Sequence, residues 1–367
     1  MKKAFQFVCA VAVMAMMGGC GNREEQRQFT INGTVGEELN GKMVYLFNNE
    51  GQRTPQDSVL VAEGKFTFTG TVDTAWIAIL ATHEEMVSEL IVEPGTIVVG
   101  EDTLGGTLLN DRLYAFNKNL DTKDLEEQME ALIPQYYNAP NAKERAEVEK
   151  VLDSLYEEIT HRTLDGCWKL YYENGDNVLG VMAMQTIAHE GTFTYQQFDS
   201  IVSSATPLVA NDKQVQRKLE QLRAIEATSA GHHYVDIQGV DGKLSDLIDG
   251  KLALVDFYAS WCGPCKSEIK DNLVPLWKKY QNKGLVIVGL NVWERGDADA
   301  RKAAHEKVMA DLGITYPQLV DSTRTATDTY GVNAIPQIIL IGPDGTILAR
   351  DLRGGAIEEA IKEALKK

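Results

Sequence analysis

The stretch Leu254-Val255-Asp256-Phe257-Tyr258-Ala259-Ser260-Trp261-Cys262-Gly263-Pro264-Cys265-Lys266 decides the fold of the C-terminal third of this 367-residue chain. From Leu252 to Tyr258 the run is apolar except for Asp256, the pattern of a strand covered on both faces. Pro264 fits the first turn of a helix, where its missing N–H is not needed, so the two cysteines sit at a helix start. Unpaired N–H groups and the positive end of the helix dipole favour a thiolate at Cys262. The two-residue spacer keeps Cys265 close enough to resolve a mixed disulfide. A C-x-x-C pair can also be half of a zinc site. The second pair that such a site needs is missing, with His232 and His233 the nearest candidates in sequence, and no metal is expected.

Around this stretch strand and helix alternate. A helix over 263–279 is followed by a strand over 285–292, a helix over 297–312 and a strand over 337–341. A Pro343-Asp344-Gly345 turn, a strand over 346–350 and a helix over 356–365 complete the pattern, which predicts a mostly parallel sheet covered by helices on both faces. Asp241-Gly242 reads as a hairpin turn.

Residues 254–266 closely resemble thioredoxin. The resemblance spans about 232–367 and includes Ala334-Ile335-Pro336 ahead of the strand at 337. It implies a thioredoxin-like α/β fold over 231–367, with Pro336 in the cis form that lays the Ile335 backbone beside the sulfurs. It also implies that Asp256 is a buried acid exchanging a proton with Cys265, and that Trp261, Gly263, Pro264, Ile335 and Pro336 form the substrate surface. The redox-active disulfide Cys262–Cys265 then needs no further cofactor. Where thioredoxin carries a lysine on the neighbouring strand, this chain carries Gly289. Glu268 and the Pro343-Asp344-Gly345 turn look more like the membrane-tethered, extracytoplasmic proteins of the cytochrome-maturation type. Those commonly have a proline two residues after the glutamate, where this chain has Lys270.

Toward the N-terminus, 111–230 has a helical period, clearest at Val148, Leu152, Leu155, Ile159, Thr163, Cys167 and Leu170, which reads as one buried stripe. Cys167 on that stripe reads as a small buried hydrophobe. Thr194-Tyr195-Gln196-Gln197 reads as a capping box. Over 29–110 short runs such as Met43-Val44-Tyr45-Leu46-Phe47 and Lys65-Phe66-Thr67-Phe68-Thr69, separated by Gly, Asn and Pro, predict a small antiparallel β-sandwich. With Gly64-Lys65-Phe66 and Glu93-Pro94-Gly95, this part resembles the uncharacterised β domain that precedes thioredoxin modules in many Gram-negative lipoproteins.

Lys2 and Lys3 followed by an apolar run read as a signal peptide over 1–19. The run ends in Met17-Gly18-Gly19-Cys20, which resembles a bacterial lipobox, with Cys20 as the lipidated residue and 20–28 as a tether. The formal net charge of −17, or −19 once Lys2 and Lys3 are removed, argues against nucleic acid as a partner.

The expected activity is thiol:disulfide exchange on exported proteins in the cell envelope, in the reducing direction, with a membrane electron donor and a lipid anchor at Cys20. Other readings are an isomerase or oxidase of the same fold, a thiol peroxidase, or a tethered binding lipoprotein with the thioredoxin unit as scaffold. Peroxiredoxins place Pro and Thr ahead of their cysteine, and Phe257 to Trp261 holds neither.

Overall fold

The computed structural model describes residues 27–49 and 54–366, with Ala142 described without its side chain. The expected signal peptide, Cys20 and the tether up to residue 26 lie outside the described residues. The chain divides into two compact units. One takes the residues up to Gly191 with Thr206–Val209, and the other takes Thr192–Ala205 with Ala210–Lys367.

The first unit opens with β1 (Gln28–Thr34), β2 (Met43–Asn48), β3 (Asp57–Leu60), β4 (Lys65–Thr71), β5 (Trp76–Ala81), β6 (Met86–Val92), β7 (Gly95–Gly100) and β8 (Thr103–Gly105). They form two four-stranded sheets, ordered β4-β1-β7-β8 and β3-β2-β5-β6. Along β4 Phe66 and Phe68 are buried while Lys65, Thr67 and Thr69 are exposed, so the alternation sets which face meets the core. That core unites Ile31, Phe68 and Ile97 of the first sheet with Val44, Leu80 and Leu90 of the second. The sandwich expected from sequence is present, with one neighbouring pair, β1 and β7, running parallel. β3 and β6 were not legible as strands: β3 is mostly exposed, and Ser88 and Glu89 interrupt the apolar alternation of β6.

Helices α1 (Leu108–Asn119), α2 (Lys123–Tyr137), α3 (Ala142–Asn174) and α4 (Val178–Glu190) complete this unit. The stripe expected on α3 is buried only at its C-terminal end, at Cys167 and Leu170; Val148, Leu152, Leu155, Ile159 and Thr163 are half-buried. No residue of α2 is buried.

The second unit contains α5 (Tyr195–Ser204), the end of α6 (Pro207–Ala210), α7 (Lys213–Ala227), α8 (Leu244–Ile248), β9 (Leu252–Tyr258), α9 (Gly263–Glu268), α10 (Val274–Tyr280) and β10 (Leu285–Asn291). These are followed by α11 (Ala298–Leu312), β11 (Gln318–Val320), α12 (Thr325–Tyr330), β12 (Gln337–Ile341), β13 (Ile347–Ala349) and α13 (Gly355–Ala364). The helical stretch expected as a domain over 111–230 is therefore shared between the units. α7 is bound to the sheet unit because Arg350 donates to the Thr228 carbonyl at 3.0 Å and to the Tyr330 carbonyl at 2.7 Å, and Gln221 reaches the Gly331 carbonyl at 3.3 Å. The capping box Thr194/Gln197 opens α5 as its sequence predicts.

The sheet order is β11-β10-β9-β12-β13. β9 pairs in parallel with β10 and antiparallel with β12, so the sheet is mixed where a mostly parallel one was expected. β9 is buried at every residue, as its apolar run requires. Leu252, Leu254 and Tyr258 face one core together with Cys262, Cys265, Ile269 and Ile338, whereas Ala253, Val255 and Phe257 face the other. By the two-residue period of a strand, Asp256 lies on the cysteine face.

Candidate active site

β9 and β10 end, and β12 begins, at one edge of the sheet, since Phe257 pairs with Gln337 and Tyr258 with Asn291. Ligand sites of open α/β sheets form at the carboxyl ends of the parallel strands. Cys262 lies there as the N-cap of α9, with Pro264 in the first helical turn. Cys262 and Cys265 are joined by a disulfide of 2.01 Å, and the Cys265 N–H donates to Cys262 Sγ at 3.1 Å. This N–H is one of the orphan donors of a helix start, and it would stabilise a thiolate on the same sulfur after reduction. The helix runs on through a π-helical stretch, Ile269–Leu273, into α10.

Opposite the pair the Ile335–Pro336 peptide is cis, and the Ile335 carbonyl oxygen lies 3.8 Å from Cys262 Sγ. Trp261 is 41% exposed, and its indole N–H donates to the Trp293 carbonyl at 2.9 Å. Gly263 and Pro264 are exposed beside it. The structure thus brings Trp261, Gly263, Pro264, Ile335 and Pro336 to one edge around the disulfide.

Asp256 is fully buried, and neither carboxylate oxygen has a hydrogen-bonding partner in the protein. Burial pushes its pKa up to about 8; the like charge of Glu268 adds to the rise and Arg353 opposes it. Gly289 stands in register with Asp256 on one side and Gln318 on the other. A Cβ at Gly289 would come within 2.4 Å of Gln318 Oε1, so that amide fills the space above the glycine. Gln318 accepts from the Tyr258 hydroxyl at 2.7 Å. Burial and the nearby Asp256 raise the pKa values of Tyr258 and Tyr316, whose hydroxyls stay protonated.

Sequence reasoning missed the Trp293-Glu294-Arg295 turn and Arg353. Glu294 binds the Ser260 N–H at 2.6 Å and the Ser260 hydroxyl at 2.7 Å, fixing the loop ahead of Trp261. Arg353 donates to the Pro336 carbonyl. The legible signal was position: Trp293-Glu294-Arg295 directly follows the carboxyl end of a parallel strand.

Cys167 is a buried free thiol whose pKa burial pushes up to about 11, which leaves it inert as a nucleophile. His232 and His233 engage Ser229 and the Tyr234 carbonyl, and no group of three or more His, Cys, Asp or Glu able to hold a metal ion occurs among the described residues.

Residues 220–350 match the AhpC/TSA family, and residues 29–103 match a domain of unknown function, DUF4369. The thiol-disulfide oxidoreductase ResA of Bacillus thuringiensis (strain Al Hakam) is 31% identical over 132 residues, covering 36% of this chain and 71% of that protein. ResA of Bacillus subtilis (strain 168) is 33% identical over 113 residues, covering 31% of this chain and 59% of that protein. The crystal structure of the thioredoxin domain of a thiol-disulfide oxidoreductase from Bacteroides vulgatus is 26% identical, covering 37% of this chain and 96% of that one, with a TM-score of 0.32.

Proposed function

The chain belongs to the ResA thiol-disulfide oxidoreductases, and from that premise we propose that it reduces disulfides of exported proteins through Cys262 as the attacking thiol and Cys265 as the resolving thiol. Its activity is protein thiol-disulfide oxidoreduction. The observation that carries the proposed roles is the Cys262–Cys265 disulfide at a helix start, faced by the cis Ile335–Pro336 peptide.

In the reduced pair, the Cys262 thiolate attacks one sulfur of the substrate disulfide, and the other leaves as a thiolate. The Asp256 carboxylate takes the proton of Cys265, which then attacks Cys262 Sγ and displaces the second substrate sulfur. That sulfur is reprotonated, and two electrons have moved from the enzyme to the substrate. A carboxyl with a pKa of about 8 can both hold and release a proton near neutral pH. An extended substrate backbone can pair with the Ile335 backbone ahead of β12 while Trp261 and Pro264 cover it.

The reducing direction follows from the Gly263-Pro264 spacer, which holds no His or extra base to stabilise the reduced thiolate beyond the helix start. A reductant in an oxidising compartment must be recharged, and we place that task on a membrane electron donor, with the chain held at the envelope by lipid on Cys20. Cytochrome maturation and rescue of wrong disulfides are tasks of this kind. Equilibration with glutathione buffers, followed by Trp261 fluorescence, tests the direction. The expected potential is below about −200 mV; a more oxidising value would make the protein an isomerase or oxidase.

A further inference from the structure

Three arginines are tied to the groups that flank the disulfide. The Arg295 guanidinium lies 4.5 Å from the Trp261 ring centroid, and Arg324 lies 5.4 Å from that of Trp293, whose carbonyl holds the Trp261 indole. Arg353 donates to the carbonyl of Pro336, next to the Ile335 carbonyl that approaches Cys262. All three side chains are exposed, and among the described residues none of them makes an ion pair. The adjacent carboxylates point to internal donors instead. Glu294 is taken up by Ser260 and Asn291, and Glu268 by Asn272 and the Gly354 N–H. Three guanidinium groups of a chain of net charge −17 therefore stand at the rim of its reacting sulfurs, while the neighbouring Glu294 and Glu268 turn toward internal donors.

We propose that Arg295, Arg324 and Arg353 select substrate polypeptides carrying acidic side chains next to the disulfide to be reduced; this rests on the exchange chemistry assigned to Cys262. A guanidinium stacked on an indole keeps its edge N–H groups free for a carboxylate, and the fixed stack lowers the entropy lost on pairing. Screening sets the range. At about 0.01 M salt the Debye length is about 30 Å and the acidic body of the protein opposes the rim. At about 0.1 M it is about 10 Å and the rim dominates, and at about 1 M both are screened. The preference for acidic substrates should therefore peak at intermediate ionic strength.

The test compares second-order rate constants for the reduced full-length protein with three synthetic cystine peptides, alike except for Asp, Ser or Lys beside the cysteines. At about 0.1 M salt the acidic peptide should react about tenfold faster than the basic one, and at about 1 M the ratio should approach one. In Arg295→Glu/Arg324→Glu the ratio should invert, and in Arg295→Gln/Arg324→Gln it should fall toward one. A ratio moves only with charge selection, because a general loss of activity cancels from it. A ratio near or below one in the unaltered protein at about 0.1 M, or a ratio unchanged in both double variants, would overturn the proposal. Failure to react with any peptide, Ser included, would instead contradict the exchange reading itself.

Discussion

The sandwich and the sheet of the second unit bury the same kinds of side chain and treat buried polarity in opposite ways. In the first unit Asn110 is fully buried, and its side chain both donates to and accepts from the backbone of Ile91, at 2.7 and 2.9 Å, as a neighbouring strand would. Among the described residues, the buried side-chain polar atoms without a partner all lie in the second unit, on Asp256, Tyr316, Gln337 and Arg350. Asp256 and Tyr316 face the cysteine cluster, and Gln337 follows the cis proline. An unsatisfied buried polar group costs about 1–3 kcal/mol, and native folds retain such groups where chemistry needs them. The contrast is sharpest at Asp256, whose unpartnered carboxylate lies on the cysteine face of β9, whereas Arg350 belongs to the contacts that hold α7.

The largest expected effect is chemical. Cys262→Ser should lower disulfide reduction at least about a thousandfold in an insulin assay while the far-UV spectrum is unchanged. Residual activity above a few per cent would move the nucleophile elsewhere.

Asp256→Asn should slow turnover about a hundredfold at neutral pH and at the same time stabilise the oxidised protein. The sign follows from the raised pKa. Between the unfolded value of about 4 and the folded value of about 8, the native state holds a proton that the unfolded chain has lost. Stability of the unaltered protein therefore falls as pH rises through that window and levels off above it. The variant lacks this fall and should gain up to about 5 kcal/mol above pH 8 and little below pH 4, measured by urea unfolding. Equal effects at pH 4 and pH 9 would mean that the carboxyl does not titrate in this window.

Leu80→Ala, at a fully buried site of the sandwich, should cost the first unit about 2–5 kcal/mol and leave the exchange rate unchanged. A parallel loss of rate would show that the two units work as one. Asn110→Ala, which removes a buried amide with its hydrogen bonds, should cost about 1–3 kcal/mol, the opposite sign to Asp256→Asn above pH 8, which removes only an ionisable group.

Legibility in the sequence followed the same division. The run at 252–258, broken once by Asp256, showed both the central strand and the acid, because a strand covered on two faces leaves an unbroken apolar signature. Cys262, Cys265 and Pro336 were visible because each is a residue type with a narrow use. Arg295, Arg324 and Arg353 were not, because a surface arginine has no sequence signature until tertiary folding sets it on an indole or a carbonyl. Exposed β3 and broken-pattern β6 lacked the alternation that marks a half-buried strand. The shared membership of the helices from 111 to 230 could not be read either, since contacts such as those of Arg350 with Thr228 join residues 122 positions apart.

Cys265→Ser, with the resolving thiol removed, offers the most direct measurement of whether Cys262 exchanges disulfides with exported proteins. Expressed in a bacterial envelope and recovered under alkylating conditions, the variant should carry polypeptides bound through Cys262 and released by dithiothreitol. Recovery with no such adducts, or with adducts mapped by mass spectrometry to Cys167, would contradict the account.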